Sequence, residues 1–233
     1  MSCHVDALAV GAHDPAALAR FWAGLLGRET VDGPHGVDLP AGEDPGLRLR
    51  FLPTTQPRAG RNRMHLDLTS ATPGDQRATV ERALALGGGH LDVGQRPEEG
   101  HVVLADPEGN EFCVIEAGNH FLAGCGPVGA VACDGTRDVG LFWAGALDWP
   151  LVWDEGEETA VQSPRGGPKV TWGGPPLPPE TARNRLHLDL LPADGDREAE
   201  AARLVSLGAT RMGAATTGGL ELTDPDGNEF RLL

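Results

Sequence analysis

Arg61-Asn62-Arg63-Met64-His65-Leu66-Asp67-Leu68 recurs as Arg183-Asn184-Arg185-Leu186-His187-Leu188-Asp189-Leu190. In an extended strand successive side chains point to opposite faces, so Met64, Leu66 and Leu68 form one apolar face and Arg63, His65 and Asp67 the other. Alternation of this kind predicts a strand with its apolar side on a core and its polar side on either solvent or a ligand. A single copy fits a solvated strand face; two copies favour a ligand-facing wall.

Working outward, Phe21-Trp22-Ala23-Gly24 returns as Phe142-Trp143-Ala144-Gly145 at a shift of 121, and His65 returns as His187 at 122. Asp106-Pro107-Glu108-Gly109-Asn110-Glu111-Phe112 returns as Asp224-Pro225-Asp226-Gly227-Asn228-Glu229-Phe230 at 118. Three markers in one order mean duplication, with a period far too long for a solenoid. We expect two domains, 1–118 and 125–233, each with its own core.

Each copy divides again. Val5 to Ala12 reads as a strand; Asp14-Pro15 supplies an N-cap with proline at the first helical position, and Gly27 closes the helix. Leu18, Phe21, Trp22, Leu25 and Leu26 fall at helical spacing and belong to a core. A hairpin of 28–31 with 37–40 and an alternating strand at 47–51 follow. The His65 strand restarts the pattern, with a helix from Thr72-Pro73 to about Leu86 and strands near 90–94, 101–105 and 111–116. Asp106-Pro107-Glu108-Gly109 has the residues a type I turn prefers. The second copy repeats these elements, so the fold class is α+β with four βαβββ units, each pair curving a sheet around a cavity with helices outside.

The composition narrows the function. A net charge of -15 argues against a nucleic-acid partner, since phosphate binding needs a basic surface. Cys3, Cys113, Cys125 and Cys133 show no C-x-x-C spacing, and no run approaches the roughly 20 apolar residues of a membrane span. These features, with no signal-peptide pattern, predict a cytoplasmic protein with neither nucleic acid nor membrane as partner. It would be a monomer with two pseudo-dimeric domains, or a homodimer.

A doubled βαβββ unit, an F-W-x-x-x-L-G helix and a D-P-x-G-N hairpin resemble the vicinal oxygen chelate superfamily of glyoxalases, extradiol dioxygenases and bleomycin-resistance proteins. The resemblance covers nearly the whole chain and is nearest to glyoxalase-like domains with an N-R-x-H-x-D strand. It implies a cavity lined by His65, Asp67, His187 and Asp189. It also implies a divalent metal held by a first-strand His from each unit and a last-strand Glu. Here the first-strand positions fall on Ala7 and Val128, and the last-strand positions on Cys113 and Arg231. His65, Cys113 and Asp67 retain a zinc-type set, but two soft ligands without a firm third are a weak site. No cofactor is therefore implied, and a divalent metal is not expected.

The expected partner is a small organic molecule. Arg63, His65, Asp67 and Cys113 would line one cavity together with Arg48 and Arg50. Arg185, His187, Asp189 and Arg231 would line the other, with Lys169 and Thr171. Trp153 is the tryptophan expected to face a pocket. Inward cations suit an anionic or carbonyl-bearing ligand, or else an internal Arg-Asp-His network that closes the sheet. Two functions follow: metal-independent binding of the bleomycin-resistance type, or lyase, isomerase or dioxygenase-like chemistry with His65-Asp67 or His187-Asp189 as an acid-base pair. Residues at i and i+2 on a strand lie roughly 6–7 Å apart, which opposes a direct His-Asp bond.

Overall fold

The computed structural model describes residues 2–42, 45–58, 60–96, 98–174, 184–215 and 218–233. Arg183 and the proline-rich loop with Pro175, Pro176, Pro178 and Pro179 lie outside them. The first unit comprises β1 (Cys3–Ala12), α1 (Pro15–Leu26), β2 (Val31–Asp32), β3 (Val37–Leu39) and β4 (Leu49–Pro53). The second has β5 (Met64–Leu68), α2 (Pro73–Ala85), β6 (Gly89–His90), β7 (Val102–Ala105) and β8 (Glu111–Val114). The third has β9 (Val128–Cys133), α3 (Arg137–Leu147), β10 (Leu151–Glu155), β11 (Glu158–Gln162) and β12 (Lys169–Trp172). The fourth has β13 (Leu186–Pro192), α4 (Arg197–Leu207), β14 (Thr210–Ala214), β15 (Leu220–Thr223) and β16 (Glu229–Leu232).

Local chemistry explains the boundaries. Asp14 accepts from the Ala17 amide to start α1, and Gly27 ends it in the left-handed region at φ 64°. At the matching end of α3 stands Asp148 at φ 55°, a strain that short polar side chains tolerate best after glycine. Gly109 donates to the Asp106 carbonyl at 2.8 Å, closing the expected turn. The first hairpin is shorter than its sequence suggests, Val31 and Asp32 pairing with Asp38 and Val37, while the Arg28 guanidinium donates to the Leu47 carbonyl at 2.9 Å.

The sheets are assembled across the sequence copies. One eight-stranded sheet runs β14-β15-β16-β13-β1-β4-β3-β2 and joins the first unit to the fourth; we call it the outer-pair sheet. The other, the inner-pair sheet, runs β10-β11-β12-β9-β5-β8-β7-β6 and joins the third to the second. This corrects the expected cavities. Arg48 and Arg50 share a sheet with His187, and Lys169 shares one with His65, because β4 pairs β1 beside β13 while β12 pairs β9 beside β5.

Each copy is nevertheless held together by its helix and its last hairpin. Trp22 of α1, a helix that covers β3 and β4, packs on Phe112 of β8 at 5.1 Å, and its indole N–H donates to Asp106 at 3.2 Å. Trp143 of α3 repeats this with Phe230 at 5.1 Å and Asp224 at 3.1 Å. A buried indole N–H needs an acceptor, and the turn aspartate supplies it. Trp22, Trp143 and Trp172 are all core residues, so the two sheets and their helices share one apolar cluster.

A candidate ligand-binding wall

On β5 the apolar Met64, Leu66 and Leu68 enter the core, and His65 and Asp67 face the other way. Backbone register then builds the polar wall of the inner-pair sheet. One row runs Gln162, Lys169, Ala130, Asp67, Cys113, Val103 across six strands. The next runs Trp153, Ala160, Thr171, Ala132, His65. Small residues at 130, 132 and 160 leave the polar groups standing proud of the wall.

The register also moves the first-strand position. Ala7 lies opposite Asp189, and the residue opposite Asp67 is Ala130, whereas Val128 pairs Leu68 and is buried in the core. The expected equivalence of Ala7 with Val128 is therefore corrected to Ala130, because the run from this strand position to the helix phenylalanine is two residues shorter in the second copy, Ala130 to Phe142 against Ala7 to Phe21. Neither alanine can ligate a metal.

His65 Nε2 stands 3.4 Å from Asp67 Oδ1, and His187 Nε2 stands 3.4 Å from Asp189 Oδ1. The side chains lean together, so spacing along the strand does not prevent their contact. Burial opposes a charged His65 ring, but Asp67 and then Cys113 outweigh it and raise the imidazole to about 10. The ring is held protonated at neutral pH. The His65 nitrogen, an Asp67 oxygen and the Cys113 sulfur lie within 4.8 Å of one another.

Lys169 is turned to the connection between the copies. Its ammonium bonds the Phe121 carbonyl and lies 4.6 Å from the centre of the Phe121 ring. Trp153 meets that ring edge-on at 5.7 Å and remains 38% exposed. No carboxylate among the described residues pairs with Lys169. Phe121 was missed from the sequence; an aromatic in a glycine-rich connection was its only signal.

The outer-pair sheet carries a different wall. Asp189, fully buried, receives two bonds from Arg231 at 2.8 Å each and one from Arg50 at 2.9 Å. Arg50 also bonds Asp38 at 3.1 and 3.2 Å and contacts Asp6 at 2.9 Å, and Arg48 bonds Asp6 at 3.0 Å. Three arginines thus meet three aspartates, and His187 approaches Asp189 at 3.4 Å without a formed hydrogen bond. Burial would raise the Asp189 carboxyl, yet His187 and Arg231 hold it below its ordinary 3.8. The inward cations expected to attract an anion are here largely neutralised from within.

Arg63 and Arg185 have another task. The Arg63 guanidinium donates twice to the Asp226 carbonyl at 3.2 Å, and Arg185 reaches Glu108 at 3.3 Å, His13 at 2.8 Å and the Gln56 carbonyl at 3.2 Å. Each lies just before its strand and clamps the turn of the other sheet, which corrects the expected place of Arg63 beside His65. Arg185 also borders a recess of about 170 Å³ with His187 and Arg231. That is below the roughly 300–1,000 Å³ of a small-molecule pocket. A recess of about 320 Å³ adjoins Asp38, Arg50 and Arg231, and a larger one, about 720 Å³, lies at the seam between the sheets beside Asp6, Arg48 and Trp149.

The divalent metal that the resemblance implies does not fit the outer-pair wall, where Arg231 fills the carboxylate position and Asp189 is already bonded to two guanidinium groups. In the inner-pair wall Glu111 is also taken, by Arg58 and by the Asn62 amide at 2.9 Å. Only the trio His65, Asp67 and Cys113 brings at least three such donors together among the described residues.

The glyoxalase-like domain family model matches residues 7–115 and 129–233. No curated protein sequence matches the chain. Among solved structures, glyoxalase I from Zea mays superposes with a TM-score of 0.65 at 14% identity, over 99% of this chain and 92% of that one. A putative dioxygenase from Bacillus subtilis subsp. subtilis str. 168 gives 0.64 at 16% identity, over 98% and 84%. At these identities the likeness concerns the fold, and no helix among the described residues is long and apolar enough to cross a membrane. With both of its repeats matched over nearly their full length, the chain belongs to the glyoxalase-like domain family.

Proposed function

We propose that this protein binds a small organic molecule on the inner-pair wall, with an anionic or carbonyl oxygen toward Lys169 and His65 and a flat apolar part against Trp153 and Phe121. One contrast carries the reading: the outer-pair wall pairs its arginines with aspartates, whereas the inner-pair wall leaves Lys169 without a carboxylate among the described residues, beside exposed aromatic surface. A charged imidazole and an ammonium over small residues form a receptor for an oxygen anion. Both halves of each sheet come from one chain, which supports a binding unit that needs no second copy.

The test is a thermal-shift screen of aromatic and aliphatic carboxylates and carbonyl compounds. A hit should raise the melting temperature of wild type and lose most of that shift in Lys169→Ala and Trp153→Ala. A screen without hits, or hits indifferent to both substitutions, would overturn the proposal.

The 3.4 Å contact between His65 and Asp67 supports a second reading, in which the site catalyses proton transfer. Because the ring is held charged, His65 would donate a proton to a developing enolate or alkoxide rather than abstract one. Turnover of a bound carbonyl compound that survives in His65→Gln would exclude it.

A further inference from the structure

A separate observation concerns the trio on the same wall. Asp67 and Cys113 lie directly opposite on adjacent parallel strands, and His65 stands two residues away on the same face of β5. Their donor atoms are within 4.8 Å of one another. A tetrahedral zinc ion, with bonds of roughly 2.0–2.3 Å, needs its donors roughly 3.3–3.8 Å apart. Side-chain rotation covers that difference without moving a strand.

We infer that the inner-pair wall holds one zinc-class ion on the His65 nitrogen, the Asp67 carboxylate and the Cys113 sulfur, with the remaining position left to water or ligand. The sequence alone shows two soft ligands and an uncertain third; the strand pairing supplies the third. Sulfur and imidazole select a borderline-soft ion, whereas magnesium and manganese prefer oxygen donors. The set also departs from the two-histidine-and-glutamate pattern of related enzymes, since Ala130 contributes no donor and a thiol stands in for the carboxylate. The ammonium of Lys169, on the same row, is turned to Phe121. Coordination requires His65 and Cys113 to give up their protons, so uptake releases acid, and in the metal-loaded protein the ion rather than a charged His65 ring would meet a ligand oxygen.

The outer-pair sheet is a control within the same molecule, because Arg231 occupies the place of Cys113 opposite Asp189. The experiment is a Co²⁺ titration of tag-free, reduced, full-length protein. One equivalent should produce a thiolate-to-cobalt charge-transfer band that Zn²⁺ displaces and Mg²⁺ and Mn²⁺ do not. Cys113→Ser should abolish the band, Asp67→Asn should weaken it, and His187→Ala should leave it intact. Should Cys113→Ser fail to fold by circular dichroism, His65→Gln serves in its place and must also lose the band. No band in wild type, a band that persists in either variant, or one lost in His187→Ala would overturn the inference. The readout is the metal alone, so a failed ligand screen leaves it standing, and a failed titration leaves the ligand proposal standing.

Discussion

The Arg185 guanidinium and the Glu108 carboxylate meet at 3.3 Å, joining the strand entry of one sheet to the turn of the other. Glu108 also accepts from the His13 and Asp14 amides at 2.9 Å each, so one side chain ties the second unit's hairpin to the start of α1 and to the fourth unit. Asp226 plays the matching part, accepting from the Thr136 amide at 2.6 Å while its carbonyl receives Arg63. Bonds to a charged group are worth about 1.5–3 kcal/mol. Glu108→Ala should therefore lower the unfolding free energy by about that amount in urea titrations. Combined with Arg185→Ala, it should cost less than the two losses added, by at least about 0.5 kcal/mol.

The buried Asp189 sets an acid limit. Its folded carboxyl titrates below 3.8, so its contribution to stability is fully present above that value and is lost as the pH falls through the folded value. Melting temperatures measured from pH 6 downward should fall below about pH 4, and the component due to this residue should vanish in Asp189→Asn. Removing the charge leaves Arg231 and Arg50 facing each other with one fewer anion. The variant should lose about 3–5 kcal/mol at neutral pH.

Gly140 in α3 faces Thr159 of β11, and a Cβ built there would lie 2.0 Å from the threonine hydroxyl oxygen and 2.6 Å from its Cβ. Alanine in a helix interior ordinarily gains about 1 kcal/mol over glycine. Here overpacking reverses the sign, and Gly140→Ala should destabilise by about 1–3 kcal/mol in thermal unfolding.

Trp153 is 38% exposed whereas Trp22, Trp143 and Trp172 are at most 4% exposed. Acrylamide should therefore quench wild-type emission mainly through Trp153 and the half-buried Trp149, and Trp153→Phe should remove the larger share. A wall ligand should protect the wild-type signal and leave that of Trp153→Phe unchanged.

The strands were legible because alternation of apolar and polar residues is local, and the helices because Asp14, Thr72 and Gly27 mark their ends. Unit pairing was not legible. The four units present equivalent strand edges, and which pair joins depends on contacts such as Leu8 with Leu188, far apart in sequence. That choice exchanged Arg48 and Arg50 for Lys169 in the company of His65. The aspartate partners of Arg50 were partly readable, since Asp38 lies opposite it across the β3–β4 pair. Asp6 was not, because it enters the network through an irregularity between Val5 and Ala7.

The decisive measurement is the nitrogen-resolved NMR spectrum of the imidazole side chains during titration with a ligand found by the thermal screen. Occupation of the inner-pair wall should shift the His65 ring signals saturably and leave those of His187 in place. Saturable shifts at His187 with His65 unmoved would put the ligand in the outer-pair sheet and contradict the division of labour between the two walls.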